Sequence, residues 1–132
     1  MDISFGELLR KKRKDQGLTQ KDLALAVGKT TMAISLFESG ENLPPSGLLL
    51  ESIISALKCS VEDALSLRFL AAKARNMIPN DINSFFFENE VIYKAISLAK
   101  TNHLSSTDLM YLVVSYLNDK QIERISDNVQ DN

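Results

Sequence analysis

Two short helical segments lie within residues 19–40, and each is bounded by residues with strong positional preferences. Thr19 and Thr30 suit the start of a helix, because a hydroxyl oxygen can accept a hydrogen bond from a free backbone N–H. Gly28 and Gly40 suit the ends, where a left-handed residue closes a helix without steric cost. The stretch therefore predicts two helices joined at Gly28.

The second of these helices, Thr31 to Ser39, separates into two faces at about 100° per residue. The side expected to be buried consists of Ala33, Ile34 and Phe37. The side expected to meet a partner consists of Thr31, Met32, Ser35 and Leu36. This outer side carries no charge, and half of it is apolar.

Three further helices are predicted around this pair. The first begins after Ser4, which can form a capping box with Glu7, and it ends at Gly17. Prolines at 44 and 45 interrupt the chain after the second helix of the pair, since proline lacks a backbone donor. Ser46 and Ser60 then suit the starts of a fourth and a fifth helix.

The positions that define these five helices resemble those of the XRE family, the Cro and lambda-repressor-like helix-turn-helix proteins. The matching residues are Leu9, Arg10 and Arg13, Gly17 to Gln20 with Leu23 and Ala24, then Gly28, Ile34, Glu38 and Gly40, and finally Pro45, Ala56 and Leu57. The resemblance covers residues 5–65. It implies an all-α fold with a five-helix lambda-repressor-like domain, and double-stranded DNA as the partner.

The resemblance also implies roles for single residues. Thr19 and Gln20, at the start of the second helix, would contact a DNA phosphate, which a helix N-terminus attracts. The third helix would lie in the major groove. The DNA-binding set expected from the resemblance is Thr19, Gln20, Lys29, Thr30, Thr31, Met32, Ser35, Leu36 and Asn42. Arg13 and Glu38 match a structural ion pair that ties the first helix to the third.

A smaller helical segment is predicted after a break at residues 76–83, where Pro79 lies among Asn and Asp residues. Apolar residues recur there at helical spacing through Ile92 and Ile96. Residues 109–117, LMYLVVSYL, contain no charge and would be apolar around the whole helix, so we expect a second copy to cover them. Their β-branched residues leave a strand open as the alternative.

The predicted organisation is a DNA-binding domain at 1–76, an oligomerisation segment at 82–125 and a flexible tail at 126–132. The expected homodimer contacts are Phe85, Phe86, Ile92, Ile96, Leu109, Leu112, Val113, Tyr116 and Leu117. A dimer would hold two recognition helices about one DNA turn apart and match a palindromic site.

Composition limits the other classes of function. The 132 residues are 45% hydrophobic and 24% charged, which is typical of a globular protein. No apolar run approaches the roughly 20 residues of a membrane helix, and the lone Cys59 excludes an intrachain disulfide. The one histidine, His103, has no cysteine or histidine cluster around it, so we expect no metal, no cofactor and no enzymatic activity. A cytoplasmic address is expected.

The sequence therefore favours a homodimeric transcriptional regulator, most simply a repressor. Residues 1–60 carry a net charge of +1 and residues 61–132 one of −3, so the N-terminal half is the better anion binder. Two alternatives stay open. The uncharged outer side of the third helix could bind a protein, as in an antitoxin or inhibitor, or the C-terminal helices could enclose a small apolar ligand.

Overall fold

The computed structural model describes residues 2–130, which form eight helices and no strand. The helices are α1 (Phe5–Asp15), α2 (Gln20–Val27), α3 (Thr31–Ser39), α4 (Gly47–Ala56), α5 (Val61–Ala74), α6 (Asn80–Glu88), α7 (Glu90–Thr101) and α8 (Ser106–Gln130). The predicted all-α class is confirmed, and residues 109–117 are helical. The chain divides into two compact units, one up to Phe85 and one from Phe86.

Local side-chain chemistry sets the limits of the first three helices. Ser4 and Glu7 form the predicted capping box at the start of α1. The Thr30 hydroxyl accepts from Ala33 N–H at the start of α3, at 3.1 Å. Gly28 and Gly40 close α2 and α3 with φ of 69° and 81°, in the left-handed region that glycine adopts without a Cβ clash. The predicted bounds of these three helices are thereby confirmed.

The core of the first unit is a single apolar cluster to which all five of its leading helices contribute. The largest of its fully buried side chains are Leu9, Leu23, Ile34, Ile53, Leu57 and Leu67. Burial of each such side chain stabilises the fold by about 1.5–3 kcal/mol. Within this core α3 contacts both α1 and α2, α2 contacts α4, and α1 contacts α5. The buried side of α3 is therefore fixed by helices on two sides, which leaves its other side facing outward.

Gly6 permits an approach of α1 to α3 that no other residue would allow. A Cβ built on Gly6 would lie 2.2 Å from the Glu38 carbonyl oxygen and 2.6 Å from that of Phe37. Both atoms belong to the backbone of α3, so neither can rotate away. The absence of a side chain at this one position sets the distance between the two helices.

The region around Pro79 corrects one expectation from the sequence. The break predicted at residues 76–83 ends early, because α6 begins at Asn80 and carries the three phenylalanines at 85–87. The Pro79 carbonyl accepts from Ile82 N–H at 3.2 Å, so the proline stands at the start of the helix. A proline is tolerated there because its missing N–H would have no partner within the helix. The domain limits at 76 and 82 stay a prediction.

In the second unit α7 and α8 are joined by a turn at residues 102–105. The Ser105 hydroxyl accepts from Asp108 N–H, and the Asp108 carboxylate accepts from Ser105 N–H, which defines the start of α8. The helix then continues through residues 126–130 of the predicted flexible tail, and residues 131 and 132 of that tail lie outside the described residues. No helix within residues 2–130 is long and apolar enough to cross a membrane.

Replacing Gly6 by Ala should lower the stability of the first unit strongly, although Ala is the better helix former. We expect a loss of about 3 kcal/mol or more, at the upper end of overpacking costs, because backbone must move against backbone. Gly17→Ala is the control, since nothing lies within 4 Å of its added Cβ. Its φ of 68° limits the expected cost to the roughly 1–2 kcal/mol of a left-handed alanine. Thermal unfolding followed by circular dichroism measures both, and a Gly6→Ala melting temperature equal to wild type would contradict the close approach.

Candidate nucleic-acid interface

At the start of α2, backbone N–H donors lie next to Thr19, the residue that caps the helix. The Thr19 hydroxyl accepts from Asp22 N–H at 3.0 Å, and the Asp22 carboxylate accepts from Thr19 N–H at 2.9 Å. The backbone hydrogen bond that the Asp22 carboxylate accepts from Thr19, and next the Thr19 side chain, hold the pKa of this carboxyl below its usual value. The amides of Gln20 and Lys21 have no acceptor within the helix, because a helix leaves its first N–H groups free. They are the groups that can meet an anion here.

Glu38 joins three helices through one buried carboxylate. Arg13 of α1 donates to it from Nε and, at 3.2 Å, from a terminal nitrogen, and it also donates to the Leu18 carbonyl at 2.7 Å. Gln20 of α2 donates from Nε2 to Glu38 Oε2 at 2.8 Å. Arg13 and Glu38 are nearly buried, with exposed side-chain fractions of 9% and 5%. The pair that the family resemblance implies thus also orients the side chain expected to contact a phosphate.

The outer side of α3, which we call the reading face, consists of Thr31, Met32, Ser35 and Leu36. Thr31 and Met32 are exposed, Met32 to 66%, whereas Ser35 and Leu36 are half-buried. The opposite side holds Ile34 fully buried in the core. Ala33 and Phe37, which were expected on the buried side, are half-buried like Ser35 and Leu36, so the first turn of α3 is the most accessible part of the reading face.

The remaining residues of the expected DNA-binding set lie at the two ends of α3. Lys29 is exposed, and its N–H donates to the Ala24 carbonyl at 2.9 Å, which completes the turn after α2. Thr30 caps α3. Asn42 is exposed, and its N–H donates to the Leu36 carbonyl at 3.2 Å. The expected DNA-binding residues thus cluster along α2, α3 and the two turns that flank α3.

Sequence reasoning missed several residues that hold this arrangement in place. Gly6 gave no periodic signal, because its role comes from a close approach of two helices. Lys12 of α1 pairs with Asp63 of α5 at 2.7 Å, and Arg75 donates to the Pro44 carbonyl at 2.7 Å. Each of these contacts joins residues far apart in sequence. Within the described residues, no group of three His, Cys, Asp or Glu side chains could hold a metal ion.

Comparison with known proteins relates this domain to a protein family. A family model described as helix-turn-helix matches residues 9–63. Among solved structures, the DNA-binding domain of the P22 C2 repressor, determined in solution, is similar at 35% identity, with 49% of this chain and 86% of that chain covered and a TM-score of 0.45. No curated protein sequence matches the chain.

A capped α2, a glycine turn and an α3 with one outward side define a helix-turn-helix DNA-binding domain. Through the match over residues 9–63, this N-terminal domain belongs to the XRE family of such proteins. The chain is accordingly a DNA-binding regulator of transcription, and the match points to a regulatory protein rather than an enzyme.

Removing the Glu38 carboxylate should destabilise the first unit, because it leaves the buried Arg13 guanidinium without its carboxylate partner. For Glu38→Ala we expect a loss of about 3–5 kcal/mol in the free energy of unfolding, the usual cost of breaking a buried pair. Glu90→Ala is the matched control, since Glu90 pairs with Lys94 at 3.7 Å on an exposed helix surface, where a pair contributes about 0–1 kcal/mol. Urea unfolding of both variants measures the difference, and equal small losses would show that the buried pair does not hold the helices.

Proposed function

We propose that this protein is a sequence-specific regulator, in the simplest case a repressor, that binds a palindromic operator as a homodimer through the major groove. The observation that carries the proposal is the reading face: α3 is fixed on one side by the core and presents Thr31 and Met32 to solvent. A helix held in this way can enter a groove about 12 Å wide without rearrangement. A protein that operates on DNA in this way is expected in the cytoplasm.

Phosphate contacts would come from the start of α2. The free amides of Gln20 and Lys21 and the helix dipole favour an anion at this point. The Gln20 carboxamide uses one Nε2 hydrogen for Glu38 and keeps the second for a phosphate oxygen. Because Glu38 is itself held by Arg13, this second donor has a defined direction. Lys29 adds a positive charge at the entry to α3.

Base recognition would rest on hydroxyls and methyl contacts. Thr31 and Ser35 can donate to or accept from a base edge, and Met32 and Leu36 can pack on a thymine methyl. None of these side chains can make the bidentate contacts that arginine makes with guanine or asparagine with adenine. Specificity would then depend in part on DNA shape and on a second subunit.

Dimerisation would supply the contacts that one reading face lacks. A second subunit makes the next binding event intramolecular, which raises the overall affinity without any new type of contact. The C-terminal segment from Phe85 to Leu117 supports this role, because Leu109, Tyr116 and Leu117 are all substantially exposed in the single chain. We propose this segment as the dimerisation region.

Protein binding is the second candidate function, and the apolar part of the reading face favours it. Met32 is 66% exposed and has Leu36 beside it, which suits a partner's apolar side chain as well as a thymine methyl. Titration of duplex DNA at about 50 and 200 mM salt separates the two functions, because salt cations compete with the protein for the phosphates and so weaken DNA binding. A regulator loses affinity steeply between the two conditions, and a pure protein binder shows no DNA binding at either.

Substitutions at the two parts of the interface should have different effects. Gln20→Ala removes a phosphate contact and should weaken binding to all sequences alike, whereas Thr31→Ala should reduce discrimination between operator and random DNA by roughly 1–3 kcal/mol. Gln16→Ala, at an exposed position just after α1, is the control for the loss of a glutamine side chain. Fluorescence anisotropy measures the dissociation constant of each variant for the selected duplex and for the random duplex. Equal effects of Gln20→Ala and Thr31→Ala on the two DNAs would contradict major-groove reading.

A further inference from the structure

The turn that follows α3 has no positive charge of its own. Residues 41–45, which we call the α3–α4 turn, are Glu-Asn-Leu-Pro-Pro. The Asn42 N–H donates to the Leu36 carbonyl at 3.2 Å, so this turn is held against the second half of α3. A helix that enters the major groove has a sugar–phosphate strand on each side of it. The α3–α4 turn follows the helix directly, so a phosphate passing beside it would meet no cation from the turn itself.

Arg75 brings a guanidinium to this turn from the far end of α5. It is the residue that ends α5, and a terminal nitrogen of its side chain donates to the Pro44 carbonyl at 2.7 Å. Pro44 and Pro45 are buried, and the ring of each proline fixes its backbone φ, so the acceptor belongs to a stiff segment. The guanidinium therefore has a defined position beside a turn that lies 31 residues earlier in the chain.

The Arg75 guanidinium keeps donors for a further partner. A guanidinium has five N–H donors, and the Pro44 carbonyl takes one of them. Arg68 of the same helix is paired with Glu51, whereas no ion pair within the described residues includes Arg75. Arg75 is exposed and lines a surface groove together with the exposed residues 46–47. An anion can therefore reach this guanidinium from solvent.

A phosphate suits the free side of this guanidinium. The planar fork of arginine matches two oxygens of one phosphate, and charge-assisted hydrogen bonds of this kind are short and strong. Because the bond to Pro44 already holds the side chain, less rotamer freedom is lost when the phosphate binds. Lys29 is an exposed cation in the turn before α3. With Arg75, each of the two turns that flank α3 has an exposed cation beside it.

We propose that Arg75 binds a phosphate of the DNA backbone beside the α3–α4 turn. This inference rests on the DNA binding of the proposed function and deepens it, because Arg75 lies outside residues 9–63, the part of the chain that the helix-turn-helix model matches. Arg75 then has a second role besides the bond that ties the end of α5 to Pro44. Since the contact is to a phosphate, it strengthens binding to operator and random DNA alike and reads no sequence.

The salt dependence of DNA binding tests this role. The loss of one phosphate contact lowers the slope of log affinity against log salt concentration by about 0.9. For Arg75→Gln we therefore expect the ratio of the affinities at about 50 and 200 mM salt to fall about three- to fourfold, on selected and random duplexes alike. Arg75→Lys keeps the charge and should retain most of the slope. Fluorescence anisotropy over a salt series measures the slope of each variant.

Lys73→Gln is the matched control. Lys73 is an exposed cation two positions earlier on α5, which places it about 160° away around the helix from Arg75. The control removes the same charge and should leave the slope unchanged. Equal slopes for wild type and Arg75→Gln, or equal reductions in Arg75→Gln and Lys73→Gln, would overturn the proposal.

Thermal unfolding separates the phosphate contact from a purely structural role of Arg75. Arg75 is exposed, and glutamine keeps an N–H donor for the Pro44 carbonyl, so Arg75→Gln should stay folded by circular dichroism. A structural role alone would lower the melting temperature of Arg75→Gln and leave the salt slope at the wild-type value. That result would count against the phosphate contact, whereas a reduced slope in a folded variant supports it.

The wild-type titration distinguishes failure of this contact from failure of the proposed function. A wild-type protein that binds no duplex DNA at about 50 mM salt would refute the proposed function and the contact together. A wild-type protein that binds DNA, with an Arg75→Gln variant of the same slope, refutes the contact alone and leaves the DNA-binding function in place. All variants are compared in the full-length chain.

Discussion

The buried Glu38 carboxylate is the contact on which the arrangement of the first three helices depends. Burial of a carboxylate is costly, and here that cost is offset by three donors from two side chains, Arg13 of α1 and Gln20 of α2. Because Glu38 belongs to α3, these bonds set the position of α3 against both other helices. Gly6 contributes to the same geometry by allowing the α1 backbone to approach the α3 backbone directly.

This contact also links stability to recognition. Gln20 is at once a partner of Glu38 and the first side chain of α2, where the helix N-terminus attracts an anion. The hydrogen bond that the carboxamide donates to a fixed carboxylate removes its rotational freedom, so its second donor does not need to be ordered when a ligand binds. The helix-turn-helix domain thus orients one DNA contact through the same buried charge that holds its helices together.

The sequence predicted what local chemistry decides and missed what tertiary contacts decide. The bounds of α1 to α3 follow from caps and glycines a few residues apart, so Ser4, Thr19, Thr30 and Gly28 were sufficient to place them. Gly6 could not be recognised, because its neighbours Glu38 and Phe37 are more than thirty residues away in the chain. The break around Pro79 was predicted to extend to residue 83, but it ends at Asn80, because a proline suits both a loop and the start of a helix and only the continuing hydrogen bonds of α6 show where the helix begins.

The uncharged reading face gives the proposed homodimer a physical reason. A reading face with two hydroxyls and two apolar side chains cannot make the bidentate base contacts of arginine or asparagine, so each half-site would contribute a modest affinity. Such a domain depends on a second copy more strongly than a domain that reads bases with arginine. Once one half-site is bound, the second subunit binds its half-site at a high effective concentration, which raises the overall affinity. Sequence discrimination at α3 would therefore depend on the stability of the proposed homodimer.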